Sequence, residues 1–173
     1  MTRVYPSEPA GSFEPPPKTF EDRSGRTIEV SEYTDDDVDT FVEMYLAFDP
    51  QDRAQGIPPT NEVQIRDWLD SILTDDTVNV TAQTNDRLVG HAMLVSDGED
   101  EYELAIFVLD EYQESGIGTK LITALLGAGQ RRGVELVWLT VERWNTAARA
   151  LYRKVGFESS KTESFELEMA LRL

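Results

Sequence analysis

Hydrophobic positions along this 173-residue chain switch between two periods, and the order of the switches predicts its architecture. Arg26 to Tyr33 alternates weakly and predicts a first strand. Thr34-Asp35-Asp36-Asp37 has the character of an N-cap with acids in the first turn. The following helix places Val38, Phe41, Val42, Tyr45 and Leu46 at helical spacing. After a Pro- and Gly-containing loop, a second helix is predicted from Asn61 to Leu73, with Val63, Ile65, Trp68, Leu69 and Ile72 as core positions. The period then shortens. Thr77–Thr84 and Arg87–Val95 predict a hairpin around Asn85-Asp86, and Glu101–Leu109 predicts the next strand, apolar on both faces. Gly116–Arg132 predicts a helix with Leu121, Ile122, Leu125 and Leu126 on one face. Val134–Val141 predicts a strand, and Asn145–Val155 a helix carrying Ala148, Leu151, Tyr152 and Val155 on one face, stopped by Gly156. Phe165, Leu167, Met169, Leu171 and Leu173 alternate strictly and predict a final strand that could support a homodimer, though the sequence does not decide between monomer and homodimer.

This order predicts an α+β fold: a central mixed, mostly antiparallel sheet of six to seven strands, flanked by about four helices. It is not doubly wound, because the antiparallel run precedes the crossovers. Residues 1–24 hold Pro6, Pro9, Pro15, Pro16 and Pro17 and predict an extended N-terminal extension rather than a packed element. Residues 25–173 form the predicted domain.

The junction at residues 105–120 carries the chemistry. A strand runs into Gln113-Glu114-Ser115-Gly116-Ile117-Gly118 and then into a helix. Backbone amides at such a helix start point outward and favour an anion, so a pyrophosphate-bearing cofactor suits the turn. Charge points the same way. The chain has 33 acidic and 16 basic residues, a net charge of −17. Yet Ser115–Gly156 holds seven basic residues (Lys120, Arg131, Arg132, Arg143, Arg149, Arg153, Lys154) against Glu135 and Glu142. A basic segment within so acidic a chain suggests a local field for a polyanionic ligand, or else a solvated helix face.

Composition removes other classes. Cysteine is absent and His91 is the single histidine, which excludes disulfides, a thiol nucleophile and a His-rich metal site. The acidity argues against nucleic acid as a partner. The chain has no apolar run near the ~20 residues of a membrane span and no signal-like N-terminus, so a cytoplasmic protein is expected. The acid excess and the preference for Arg over Lys suggest a salt-rich cytoplasm. A P-loop is ruled out by the order Gly118-Thr119-Lys120, and a dinucleotide fingerprint by Leu121 at the third Gly position.

The turn, followed by Asn145, Leu151-Tyr152 and Gly156-Phe157, resembles the GNAT superfamily of N-acetyltransferases over residues 25–173. The predicted element order matches as well. One departure is Glu114 and Ser115, where the family's turn often carries basic residues. The resemblance implies acetyl transfer from acetyl-CoA, without a metal, to a primary amine of a protein or a small molecule. The amine attacks the thioester directly. It implies that groups at Val108, Leu109 and Asp110 hold the acetyl carbonyl and pantetheine. The backbone amides of Gln113, Glu114, Ser115, Gly116, Ile117, Gly118 and Thr119 would hold the pyrophosphate. Asn145 would cap its helix, contact the cofactor, or both. Tyr152 is the expected acid for the leaving thiolate, unless it is simply core. Glu103 is the expected base, with Glu101 on the same strand face, unless both are ordinary solvated acids. His91 is expected to be packed rather than catalytic, and Trp68, Trp138 and Trp144 to be core or rim. The alternative reading is a CoA-binding module without turnover.

Overall fold

The computed structural model describes residues 3–33, 38–48, 58–162 and 166–173. The elements are β1 (Lys18–Glu21), β2 (Thr27–Glu32), α1 (Val38–Leu46), α2 (Glu62–Ile72), β3 (Val78–Thr84), β4 (Arg87–Ser96), β5 (Glu101–Val108), α3 (Ile117–Arg131), β6 (Leu136–Glu142), α4 (Thr146–Val155), β7 (Glu158–Thr162) and β8 (Glu166–Arg172). The expected cap at 34–37, the loop at 49–57 and Phe165 lie outside the described residues.

All eight strands form one sheet in the order β1-β2-β3-β4-β5-β6-β8-β7. Every pairing is antiparallel except β5 with β6. The β3–β4 turn places Asn85 (φ 50°) and Asp86 (φ 62°) in left-handed conformations, which suit the twist of a two-residue hairpin. Successive strand residues face opposite sides, and two neighbours on β4 show how the helices divide. His91 meets Phe41 and Tyr45 of α1, whereas Gly90 faces Leu121 of α3. Leu151 of α4 approaches Gly118 of α3. Thus α1 and α2 cover one face, and α3 and α4 the other.

Several expectations change. Val63 (70% exposed) and Leu46 (50% exposed) are not core. Val63 lies two residues before the buried Ile65, about 200° around the helix. On α1, Met44 is buried in place of Leu46, which sits off the edge of the face formed by Phe41, Val42 and Tyr45. β8 lies between β6 and β7, so the final apolar strand is not a free edge for a homodimer.

The Pro-rich N-terminal extension is packed, contrary to expectation. β1, inside it, pairs with β2 and adds the eighth strand. Upstream, Ala10 N–H donates to Arg172 O (2.7 Å), and Arg172 Nε donates to Pro6 O (2.8 Å). Gln130 of α3 accepts from Phe13 N–H (2.9 Å) and donates to Gly11 O (2.7 Å). Gly127 allows this crossing, because a Cβ there would lie 2.6 Å from Pro15 N. Proline keeps the segment extended, and its backbone polar groups find partners on the domain.

Candidate functional site

β5 and β6 pair only over Glu101–Glu103 and Leu136–Trp138. Beyond that point β5 runs on to Val108 and β6 to Glu142, so the sheet opens as a wedge. The Leu109 amide donates to Val89 O (2.9 Å) on the β4 side. Backbone groups alternate between strand edges, so the amides of Ile106 and Val108 point into the wedge. The Val108 carbonyl is already taken by Gln113 Nε2 (3.0 Å).

The turn into α3 stands at the open end of the wedge. A short 3-10 segment, Asp110–Tyr112, leads to Gln113. Glu114 (φ 58°) and Gly116 (φ 91°) are left-handed. Gly116 is the N-cap of α3, and no side chain caps the helix. Helix geometry leaves the amides of Ile117, Gly118 and Thr119 without intrahelical acceptors. A Cβ on Gly118 would lie 3.6 Å from Leu151 and 4.0 Å from Ile106, so α3, α4 and β5 converge there.

Not every residue expected at this junction offers a group to a ligand. Leu109 is buried, its amide serves Val89, and its carbonyl accepts Tyr112 N–H (2.8 Å). The Gln113 amide donates to Asp110 O (3.1 Å). Ser115 is buried, with Oγ 2.9 Å from Tyr112 O and 3.0 Å from Gln113 O. Leu109, Gln113 and the Ser115 side chain therefore shape the turn, while Asp110 and Glu114 are exposed on it. Asn145 caps α4, accepting from Ala148 N–H (3.2 Å).

Tyr152 is 8% exposed on α4 and packs edge-on to Phe157. Burial raises its pKa to about 12, so the phenol keeps its proton throughout the neutral range. Glu103 lies on the opposite sheet face, one residue from Tyr102 and two from Ala105, at the apex of the wedge. Its side chain is exposed at the rim; partial desolvation of the carboxyl raises its pKa, and Arg3 opposes the rise. Arg3 sits 3.5 Å over the Trp138 ring and 3.4 Å from Glu168. Among the other two tryptophans, Trp68 joins the Tyr45–Phe107 cluster and Trp144 is exposed at the rim.

His91 is fully buried. Asn79 Nδ2 donates to Ile72 O (3.0 Å), so Asn79 Oδ1 is the acceptor for His91 Nε2–H (2.8 Å). Tyr45 OH then donates to His91 Nδ1 (2.6 Å). Desolvation lowers the His91 pKa to about 3, and the neutral ring ties α1 and α2 to the sheet.

Of the basic segment, Lys120 stands in the first turn of α3, its Nζ 5.5 Å from the Phe20 ring centroid. Arg131 and Arg132 pair with Glu32 (3.1 and 2.8 Å) at the far end of α3, about 20 Å from its start by helix rise. A polar concavity of about 530 Å³ lined by Tyr33, Asp75, Thr77, Asn79 and Arg132 is at that far end too. Further cations reach the turn from outside α3: Arg87 of β4 pairs with Glu111 (3.4 Å), and from the β1–β2 hairpin Arg23 reaches Glu114 O while Arg26 reaches Glu111 O and Ser115 Oγ. Nothing in the periodicity signalled this, because the hairpin falls at the edge of the Pro-rich stretch. No group of three or more potential metal ligands occurs among the described residues, nor does any helix there have the length and apolarity to cross a membrane.

Residues 33–157 match the acetyltransferase (GNAT) family. An uncharacterised N-acetyltransferase of Mycobacterium tuberculosis is 33% identical over 89 residues, which are 51% of this chain and 57% of that protein. The chain thus matches a little over half the length of that relative. The GNAT domain of S. lividans PAT superposes with a TM-score of 0.77 at 18% identity, covering 91% of this chain and 97% of that one. The PaiA N-acetyltransferase of Thermoplasma acidophilum, solved in complex with coenzyme A, superposes with a TM-score of 0.65 at 18% identity, over 84% and 99%.

Proposed function

The chain belongs to the acetyltransferase (GNAT) family, and on that premise we propose that it transfers an acetyl group from acetyl-CoA to a primary amine. The observation that carries this reading is the meeting of the β5–β6 wedge with the uncapped start of α3. The donor set fits the cofactor. Inward amides of Ile106 and Val108 suit an extended, amide-bearing pantetheine, and amides at Gly116–Thr119 suit a pyrophosphate. When bound, acetyl-CoA supplies an activated thioester for attack by the amine.

The chain's residues then orient groups and move protons. Val108 and its neighbours hold the acetyl carbonyl in the wedge. Glu103 receives a proton from the incoming amine on the α1–α2 face. Its raised pKa makes it a better base than an ordinary surface carboxylate. Tyr152 gives its proton to the departing sulfur from the α3–α4 face; its high pKa guarantees that the proton is present. Acid and base thus work from opposite faces of the opened sheet. The acidic composition fits work in a salt-rich cytoplasm, and stability is expected to rise with salt as self-repulsion is screened. A melting temperature that falls steadily toward molar KCl contradicts this adaptation.

Calorimetric titration with acetyl-CoA and CoA in molar KCl tests the central reading. Micromolar binding is expected, followed by thiol release with a panel of amines; the Cys-free chain gives no thiol background. Absence of binding by folded protein overturns the proposal. Binding without release on any amine identifies a CoA-binding module instead.

A further inference from the structure

We propose that Arg23, on the β1–β2 hairpin, binds the cofactor's phosphates, and that Arg26 is the positioning residue that docks this hairpin on the α3 turn. The inference rests on the acetyl-CoA reading above. Between Asp110 and Thr119 the chain carries Asp110, Glu111 and Glu114 and no basic residue. A phosphate approaching the free α3 amides meets three nearby carboxylates; Lys120 follows in the first turn of α3, and cations beyond it must come from elsewhere in the fold.

The hairpin is built to deliver one. The Asp22 side chain is fully covered and accepts from Ser24 N–H (2.9 Å), Arg26 N–H (2.9 Å) and Arg26 Nε (2.8 Å). Burial alone would raise the Asp22 pKa, but these bonds outweigh it and hold the pKa below the usual value. The locked hairpin then docks on the turn. Arg23 N–H donates to Ser115 O (3.1 Å). Arg26 donates to Glu111 O and Ser115 Oγ, both at 3.2 Å, with its guanidinium 4.1 Å over the Tyr112 ring.

The cations at the turn are not equivalent. Arg26 is paired with Asp22, and Arg87 with Glu111 at 3.4 Å. Arg23 is exposed, and its guanidinium meets only the Glu114 carbonyl, at 3.4 Å. No carboxylate pairs with it among the described residues. Its backbone is pinned beside the helix start while its planar, multiply donating head remains available, which matches phosphate recognition.

The test is titration of wild type, Arg23→Gln and Arg23→Lys with CoA and 3′-dephospho-CoA at one fixed KCl concentration, alongside turnover with acetyl-pantetheine, which lacks phosphates. Arg23→Gln is expected to weaken CoA binding about tenfold, the loss of one charge-assisted contact. Arg23→Lys recovers part of the loss, and melting temperature and acetyl-pantetheine kinetics stay at wild-type values. A loss that persists with 3′-dephospho-CoA assigns the contact to the pyrophosphate; one that disappears assigns it to the 3′-phosphate. Equal CoA affinity in wild type and Arg23→Gln overturns the inference, as does a loss matched by a lower melting temperature and an equal loss with acetyl-pantetheine. Absence of CoA binding by wild type instead overturns the acetyl-CoA reading beneath it.

Discussion

Helices α3 and α4 lie together on one face of the sheet, yet they begin in opposite ways. Asn145 caps α4 with its own side chain, and Asn61 caps α2 likewise. α3 starts at left-handed Gly116 with no side-chain cap. A capped helix has satisfied one of its free amides internally; an uncapped one keeps them all for a ligand. The difference separates an end that serves stability from an end that serves binding. The flanking contacts follow suit. Around the α3 start, Gln113, Ser115 and Arg26 hold the backbone in place and leave the amides open.

The strongest way to break this contrast is Gly116→Glu. It forces an L side chain into φ 91° and sets a carboxylate where the anion belongs. CoA affinity is expected to fall more than about a hundredfold by titration, since lost anion binding and backbone strain each contribute more than ~1.4 kcal/mol. Next comes chemistry at α4: Tyr152→Phe is expected to lower kcat about a hundredfold through loss of the acid, with CoA affinity and fold retained. Unchanged turnover would leave Tyr152 as a core residue only.

A third test loosens the frame that carries both helices. His91 has a folded pKa near 3 against an ordinary value of 6.5. The unfolded chain therefore binds the extra proton first, so this contribution is complete above pH ~6.5 and is lost as pH falls toward ~3. Urea unfolding across that window should show stability falling with acid, and His91→Gln should flatten the slope; parallel profiles would remove His91 from the account. The smallest effect belongs to the other helix start. Asn145→Ala is expected to destabilise the protein by about 1 kcal/mol and Asn145→Asp to restore it. If CoA affinity falls in Asn145→Asp while stability holds, α4 also serves binding and the contrast softens.

Much of this was legible in the chain. The two periods placed β2 to β6, β8 and all four helices within a few residues, because each signal is set by neighbours a few positions apart; β7 was not placed. Asn61, Asn145 and Gly116 marked their helix starts for the same reason. Less was legible where surface and charge were read from the same local pattern. Val63 matched an apolar spacing but faces solvent. Arg131 and Arg132 sat within a basic segment but pair with Glu32 far from the turn.

The sequence by itself determined the element types, the Gly-rich turn and the pair of motif blocks that mark the family, since these depend on local conformation and spacing. Tertiary structure alone decided that β5 and β6 diverge after Glu103, that Gly127 admits the Pro-rich strap, and that Arg23 and Arg26 stand at the turn. Each of these joins residues about 35 to 110 positions apart. Such contacts are fixed by sheet register and helix packing, which no local period encodes.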